Sequence, residues 1–110
     1  MPEPTLDEVF GPGATQTADS ITIPKARLVT KGLTASANNR AEALLAALLM
    51  AASDSLTETA RATDTVNRHL TILYSGQDLI EVSGINYRRD AFSVLLYKQQ
   101  PLTTIDPDDY

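Results

Sequence analysis

From Ala43 to Ala52 the chain runs through ten residues of alanine, leucine and methionine, inside a longer stretch from Arg40 to Leu56. Nothing else in the sequence restricts the fold as strongly, because an apolar run of that length has to be covered. Ala, Leu, Met, Arg and Glu are the strongest helix formers, and no Gly, Pro or β-branched residue falls between Asn38 and Leu56, so the pattern predicts a helix. Asn39 followed by Glu42 fits an N-cap residue with an acid at the third helical position, and Asn38 and Ser36 are further cap candidates. At about 100° per residue, Leu44, Leu45, Leu48, Leu49, Ala52 and Leu56 gather on one arc, which is expected to face the chain's own core. Ala43, Ala46, Ala47 and Met50 fall on the opposite arc, where a surface helix would carry Lys and Glu.

A bilayer span needs roughly twenty apolar residues, about twice what this run offers. Its flanks lack a Lys/Arg cluster, and the N-terminus lacks the basic-then-apolar pattern of a signal peptide, so a water-soluble cytoplasmic protein is expected. A length of 110 residues suits one domain. Cysteine is absent, which excludes disulfides, thiolate catalysis and Cys-ligated zinc and is compatible with a reducing compartment. The net charge of −5 is concentrated at the ends. Residues 1–20 contain Glu3, Asp7, Glu8 and Asp19 without a Lys or Arg, and residues 99–110 contain Asp106, Asp108 and Asp109, so the segment between them is slightly basic.

Along the chain, Thr5 to Glu8 forms a second capping box, opening a short helical turn that Gly11, Pro12 and Gly13 stop. Ala14 to Ser20 reads as an extended linker, making residues 1–19 an N-terminal arm. Ile21 to Ile23 reads as a short strand ahead of Pro24, and Lys25 to Leu33 fits either a helical turn or a continued strand. Thr57 to Asp64 fits a loose helical turn or a loop. From Val66 the period changes to two, with Arg68, Leu70, Ile72 and Tyr74 on one face. Ser75 to Asp78 reads as a turn, Leu79 to Val82 as a strand, Ser83-Gly84 as a second hairpin signal, and Ala91 to Lys98 as a further strand. Residues 99–110 read as an acidic tail.

The expected fold is therefore α+β, with one long apolar helix packed on a three- to four-stranded antiparallel sheet, a core spanning residues 20–98, and extended arms at both ends. The sheet can cover the leucine arc. No other long amphipathic segment remains to cover Ala43, Ala46, Ala47 and Met50, so these four are expected to form a homo-oligomer interface.

Candidate chemistry is sparse. His69 is the only histidine, and no carboxylates are spaced to complete a metal site with it, so a structural or surface role is the plainer reading. The tail aspartates lack the Gly and terminal Glu of a calcium loop. Gly11-Pro12-Gly13 has no preceding strand and no following Lys with Ser or Thr, which separates it from a phosphate loop. Ser and Thr nucleophiles lack an activating base, so no enzyme activity and no cofactor are expected. Tyr87, Arg88 and Arg89 are the best candidates for an anion or partner contact. Overall acidity opposes nucleic acid, and salt bridges to Asp78, Glu81 or an acidic arm are the simpler use of the arginines.

Three stretches carry a resemblance: Val9-Phe10-Gly11 leading to Ala14-Thr15-Gln16-Thr17; Leu33-Thr34-Ala35-Ser36-Ala37-Asn38-Asn39 with Ala41-Glu42; and Ser75-Gly76-Gln77-Asp78 followed by Tyr87-Arg88-Arg89-Asp90. Together they resemble small uncharacterised bacterial proteins of cyanobacterial type, including prophage-like structural proteins. The resemblance implies a structural role and brings no active-site residues with it. The expected function is a non-enzymatic homo-oligomeric structural or assembly protein, such as a component of a phage-like particle. The competing expectation is a small-ligand or regulatory module with a pocket at a subunit interface near Tyr87, Arg88 or His69.

Overall fold

The structure is a computed structural model that describes residues 3–98 and 107–109. Helix α1 (Leu6–Phe10), strands β1 (Thr15–Gln16) and β2 (Ile21–Thr22), helices α2 (Ala26–Val29), α3 (Ala41–Ser53) and α4 (Glu58–Thr63), and strands β3 (Leu70–Val82) and β4 (Ile85–Leu96) follow one another, with a 3-10 turn at Pro107–Asp109. The class is α+β.

The apolar run forms α3, a helix of 13 residues that is shorter than the Arg40–Leu56 stretch. Arg40 is its N-cap and makes no side-chain capping bond. Asn39, the expected cap, is used by the loop before the helix. Its Oδ1 accepts from Lys25 Nζ at 2.8 Å and from the Ser36 amide at 3.1 Å, while its Nδ2 donates to the Thr34 carbonyl at 2.8 Å. One side chain thus closes the 34–39 loop and ties it to the residue preceding α2. The Thr5 cap is as the sequence reads, accepting from the Glu8 amide at 3.2 Å, and Thr57, not read as a cap, accepts from the Ala60 amide at 3.0 Å. The Thr57 bond converts the ambiguous 57–64 segment into a helix.

Most of the expected arc turns inward, since Ala52 and Leu56 are buried and Leu44, Leu48 and Leu49 pack against the core clusters, but burial also extends to Ala47 and Ala51. Ala47, Ala51 and Ala52 are its buried residues. Leu28 from α2 packs on Ala47 and Ala51, with Leu33, Leu44 and Leu48 around them. A second cluster joins Ala52, Leu56 and Ile72, with Val9, Leu49, Leu70 and Phe92 packed against it. The two clusters meet along α3, where small side chains let α2 approach closely. Leu45, expected inside, is 60% exposed.

Residues 1–19 are not a free arm within the part described. Val9 of α1 enters the second cluster, the Ser55 hydroxyl donates to the Glu8 carbonyl at 2.7 Å, and the Glu8 carboxylate pairs with buried Arg68 at 3.4 Å. Gly11, at φ 104°, lies so close to α2 that a Cβ there would meet Arg27 Cβ at 2.6 Å. The segment expected to be a linker folds back on itself, pairing Thr15 with Thr22 and Gln16 with Ile21. Thr17 Oγ1 accepts from the amides of Asp19 and Ser20 and holds the turn. Closing this local loop costs little entropy, so Ile21 pairs with its near neighbour instead of adding an edge to the main sheet.

Among the described residues the main sheet has two strands, not three or four. Ser75-Gly76-Gln77-Asp78 does not reverse the chain. β3 runs through it with a register shift between Tyr74 and Gly76, leaving Ser75 as the extra residue of a bulge with Gly76 at φ 115°. The one reversal is at Ser83-Gly84, where both residues have positive φ, 53° and 80°. That is the two-residue primed turn whose twist matches paired strands.

Because of the bulge, Leu70, Ile72, Tyr74, Gln77, Leu79 and Glu81 share a face with Leu96, Val94, Phe92, Asp90, Arg88 and Asn86. The base of this face packs on α3. The opposite face pairs Asp78 with Arg89, Ile80 with Tyr87 and Val82 with Ile85 in its outer half. Every residue from Glu81 to Ala91 is exposed, so the outer half of the hairpin extends away from the body. The radius of gyration is 18.0 Å, against about 13 Å for a compact domain of this length.

Candidate functional site: a groove between helix α3 and the hairpin

Where the hairpin leaves the body, it and α3 diverge and enclose an open groove of about 690 Å³. Ala46, Leu49 and Met50 form its helical wall, and Tyr74 and Phe92 form its sheet wall. The two rings pack at a centroid distance of 5.3 Å, tilted by 43°, and hold the sheet wall in place. Two charged groups border it. At the C-terminal end of α3, Asp54 receives Lys31 Nζ at 2.5 Å and Arg27 Nη2 at 3.3 Å, and the Lys31 hydrogen bond holds its carboxyl below the ordinary carboxylate range. On the hairpin, Asp90 accepts from the Tyr74 hydroxyl at 2.7 Å and pairs with Arg88 Nε at 3.4 Å.

Three of the four helix positions expected at an interface, Ala43, Ala46 and Met50, are exposed. Ala46 and Met50 line the groove. Ala47 does not belong with them, since it is 6% exposed and covered by Leu28 of its own chain. The Tyr87-Arg88-Arg89 triplet is split by strand alternation. Arg88 faces the groove. Arg89 and Tyr87 lie on the other face, where Arg89 makes a two-point contact with Asp78 at 2.9 and 2.6 Å. That bond lowers the Asp78 carboxyl and raises the Arg89 guanidinium.

His69 is remote from both. It borders a separate hollow of about 450 Å³ with Arg61 and Tyr97, where the Arg61 guanidinium stacks 3.6 Å from the Tyr97 ring centroid. Arg68 faces inward to Glu8 and the Ser55 carbonyl and does not join the hairpin arginines. The sequence therefore points to the helical wall and to Arg88. Tyr74, Phe92, Lys31 and Asp54 are found only by folding the chain, although the apolar alternation through Tyr74 and Phe92 is visible beforehand.

The groove is an apolar cleft with charged borders. Its charged borders are internally paired, and Ser53 donates its hydroxyl to the Met50 carbonyl at 2.7 Å, with no base in contact. Among the described residues, no group of three or more His, Cys, Asp or Glu side chains is placed to hold a metal ion, and no helix is long and apolar enough to cross a membrane. The chain matches no family model, and no curated protein or solved structure is significantly similar to it.

Proposed function

We propose that this chain is a non-enzymatic, self-associating structural or assembly protein whose groove and adjoining α3 strip are covered by another copy of itself. The observation that carries this reading is the apolar surface left open where two elements meet. Ala43, Ala46 and Met50 are exposed on one side of α3, Leu45 is exposed beside them, and the outer hairpin is exposed throughout. The chain has 8394 Å² of accessible surface, about 2,500 Å² more than the roughly 5,900 Å² expected for a compact monomer of its mass. A standard interface takes about 800 Å² from each partner, so this excess is ample for one or more contacts. A two-stranded ribbon is also marginal alone in water, which favours a partner for the hairpin.

A place in a phage-like particle, in a cytoplasmic setting, agrees with this reading and rests on the sequence resemblance. The groove itself favours a second reading, a small-ligand module that uses Arg88 and Lys31 at an apolar cleft. The two differ in what Met50→Glu does. Self-association requires this variant to keep its circular dichroism spectrum and melting behaviour while its mass in solution, by light scattering, falls to that of one chain. Ala47→Glu should instead unfold the monomer, because its charge enters the Leu28 cluster. An unchanged mass for a folded Met50→Glu protein would contradict the assembly reading.

A further inference from the structure

The groove and the outer hairpin complement each other, and the geometry points to an arm exchange in which the hairpin tip of a second copy occupies the groove. This deepens the self-association proposed above and rests on it. The outer face of the tip presents Ile80, Val82, Ile85 and Tyr87 as two adjacent cross-strand pairs. Val82, Ile85 and Tyr87 are 49%, 56% and 47% exposed, and the groove wall residue Met50 is 40% exposed. Seating that face on Ala46, Leu49 and Met50 would cover both apolar surfaces in one helix-on-sheet contact.

Reach and polarity agree. Between the Tyr74–Phe92 pair at the groove and the Val82–Ile85 pair at the tip, β3 advances about 26 Å at ~3.3 Å per residue. That length carries the tip clear of its own body to a neighbour's, while its own groove stays open for a reciprocal insertion about a two-fold axis. From Leu79 to Tyr87 the only charged residue is Glu81, which makes no ion pair among the described residues. Glu81 lies on the other face of the tip, so the Ile80, Val82, Ile85 and Tyr87 face brings no charge of its own into the apolar groove. Asp78 and Arg89, immediately behind the tip, neutralise each other and do not oppose the approach.

The absence of cysteine makes a direct test possible. Full-length Met50→Cys and Ile85→Cys chains are mixed at equal concentration, oxidised mildly, and separated without reductant, with sedimentation of the unoxidised mixture run in parallel. Arm exchange requires the mixed 50–85 disulfide to predominate, since only residues brought to a Cα separation of about 4.4–6.8 Å close readily. Predominance of an 85–85 disulfide would show tips stacking on tips and overturn the exchange. An oligomer without a 50–85 link would overturn it while leaving self-association intact, and a monomer would remove both. A second variant guards against altered chemistry at these sites. Val82→Glu with Ile85→Glu should abolish the oligomer without loss of hairpin signal, whereas Leu79→Glu on the opposite face should leave it assembled. Retention of the oligomer by the Val82/Ile85 variant would contradict the exchange.

Discussion

At the residue scale, several side chains do work that their spacing does not announce. Asn39 is positioned as a helix cap, but its amide has four bonding sites and the 34–39 loop offers several partners, so it bonds there instead. Asn39→Ala should cost about 1–2 kcal/mol in urea denaturation, from lost bonds and a less constrained Lys25 ammonium, with little change in helix content. Asp54 gives a pH dependence of definite sign. Its carboxyl is depressed below the ordinary 3.8 by Lys31 first and then Arg27, so it contributes stability in full above that value and loses it as pH falls through the depressed one. Acid titration of the melting temperature should therefore decline more gently in Asp54→Asn than in the parent below about pH 4. The effect will be modest, because the carboxylate is partly exposed and screened by solvent.

At the element scale, the helix and most of its inward arc were legible, whereas the burial of Ala47 and Ala51 and the exposure of Leu45 were not. Periodicity dictates α3 and its leucine arc, but the burial of Ala47 and Ala51 depends on α2, a four-residue helix whose Leu28 claims them. A segment that short has too little periodicity to be read with its facing. The hairpin shows the complementary difficulty. Ser75-Gly76 and Ser83-Gly84 are similar turn signals, and only long-range pairing of Leu70–Val82 with Ile85–Leu96 decides that the first is a bulge and the second the reversal. Of the groove, Ala46, Met50 and Arg88 could be singled out from sequence, whereas Tyr87 and Arg89 were lost to the opposite face by alternation. The N-terminal segment makes the sharpest element-scale prediction. Deleting residues 1–19 removes Val9 from the second cluster and leaves Arg68, 5% exposed, without Glu8. The truncated chain should lose several kcal/mol of stability in chemical denaturation, since an unpaired buried charge alone costs about 3–5 kcal/mol. Unchanged stability would mean that α1 contributes nothing to the core.

On the scale of the whole molecule, a small core carries a long projecting ribbon. The described core consists of two clusters threaded along one face of α3, and the elements beyond it contribute surface more than burial. Domains near 100 residues bury only about two thirds of their unfolded surface even when compact, so a chain that also extends an apolar hairpin has little stability in reserve. The self-association proposed above would supply the missing burial, and the exposed alanines on the open side of α3 would allow a partner's backbone to come near. The fold thereby joins the opening helix to the hairpin: one provides an uncovered wall, the other an uncovered arm. Sedimentation equilibrium of the unmodified chain over a range from about one to one hundred micromolar tests this most directly. A dimer or larger species that dissociates only on dilution is the expected result, and a single chain mass across the whole range would contradict self-association.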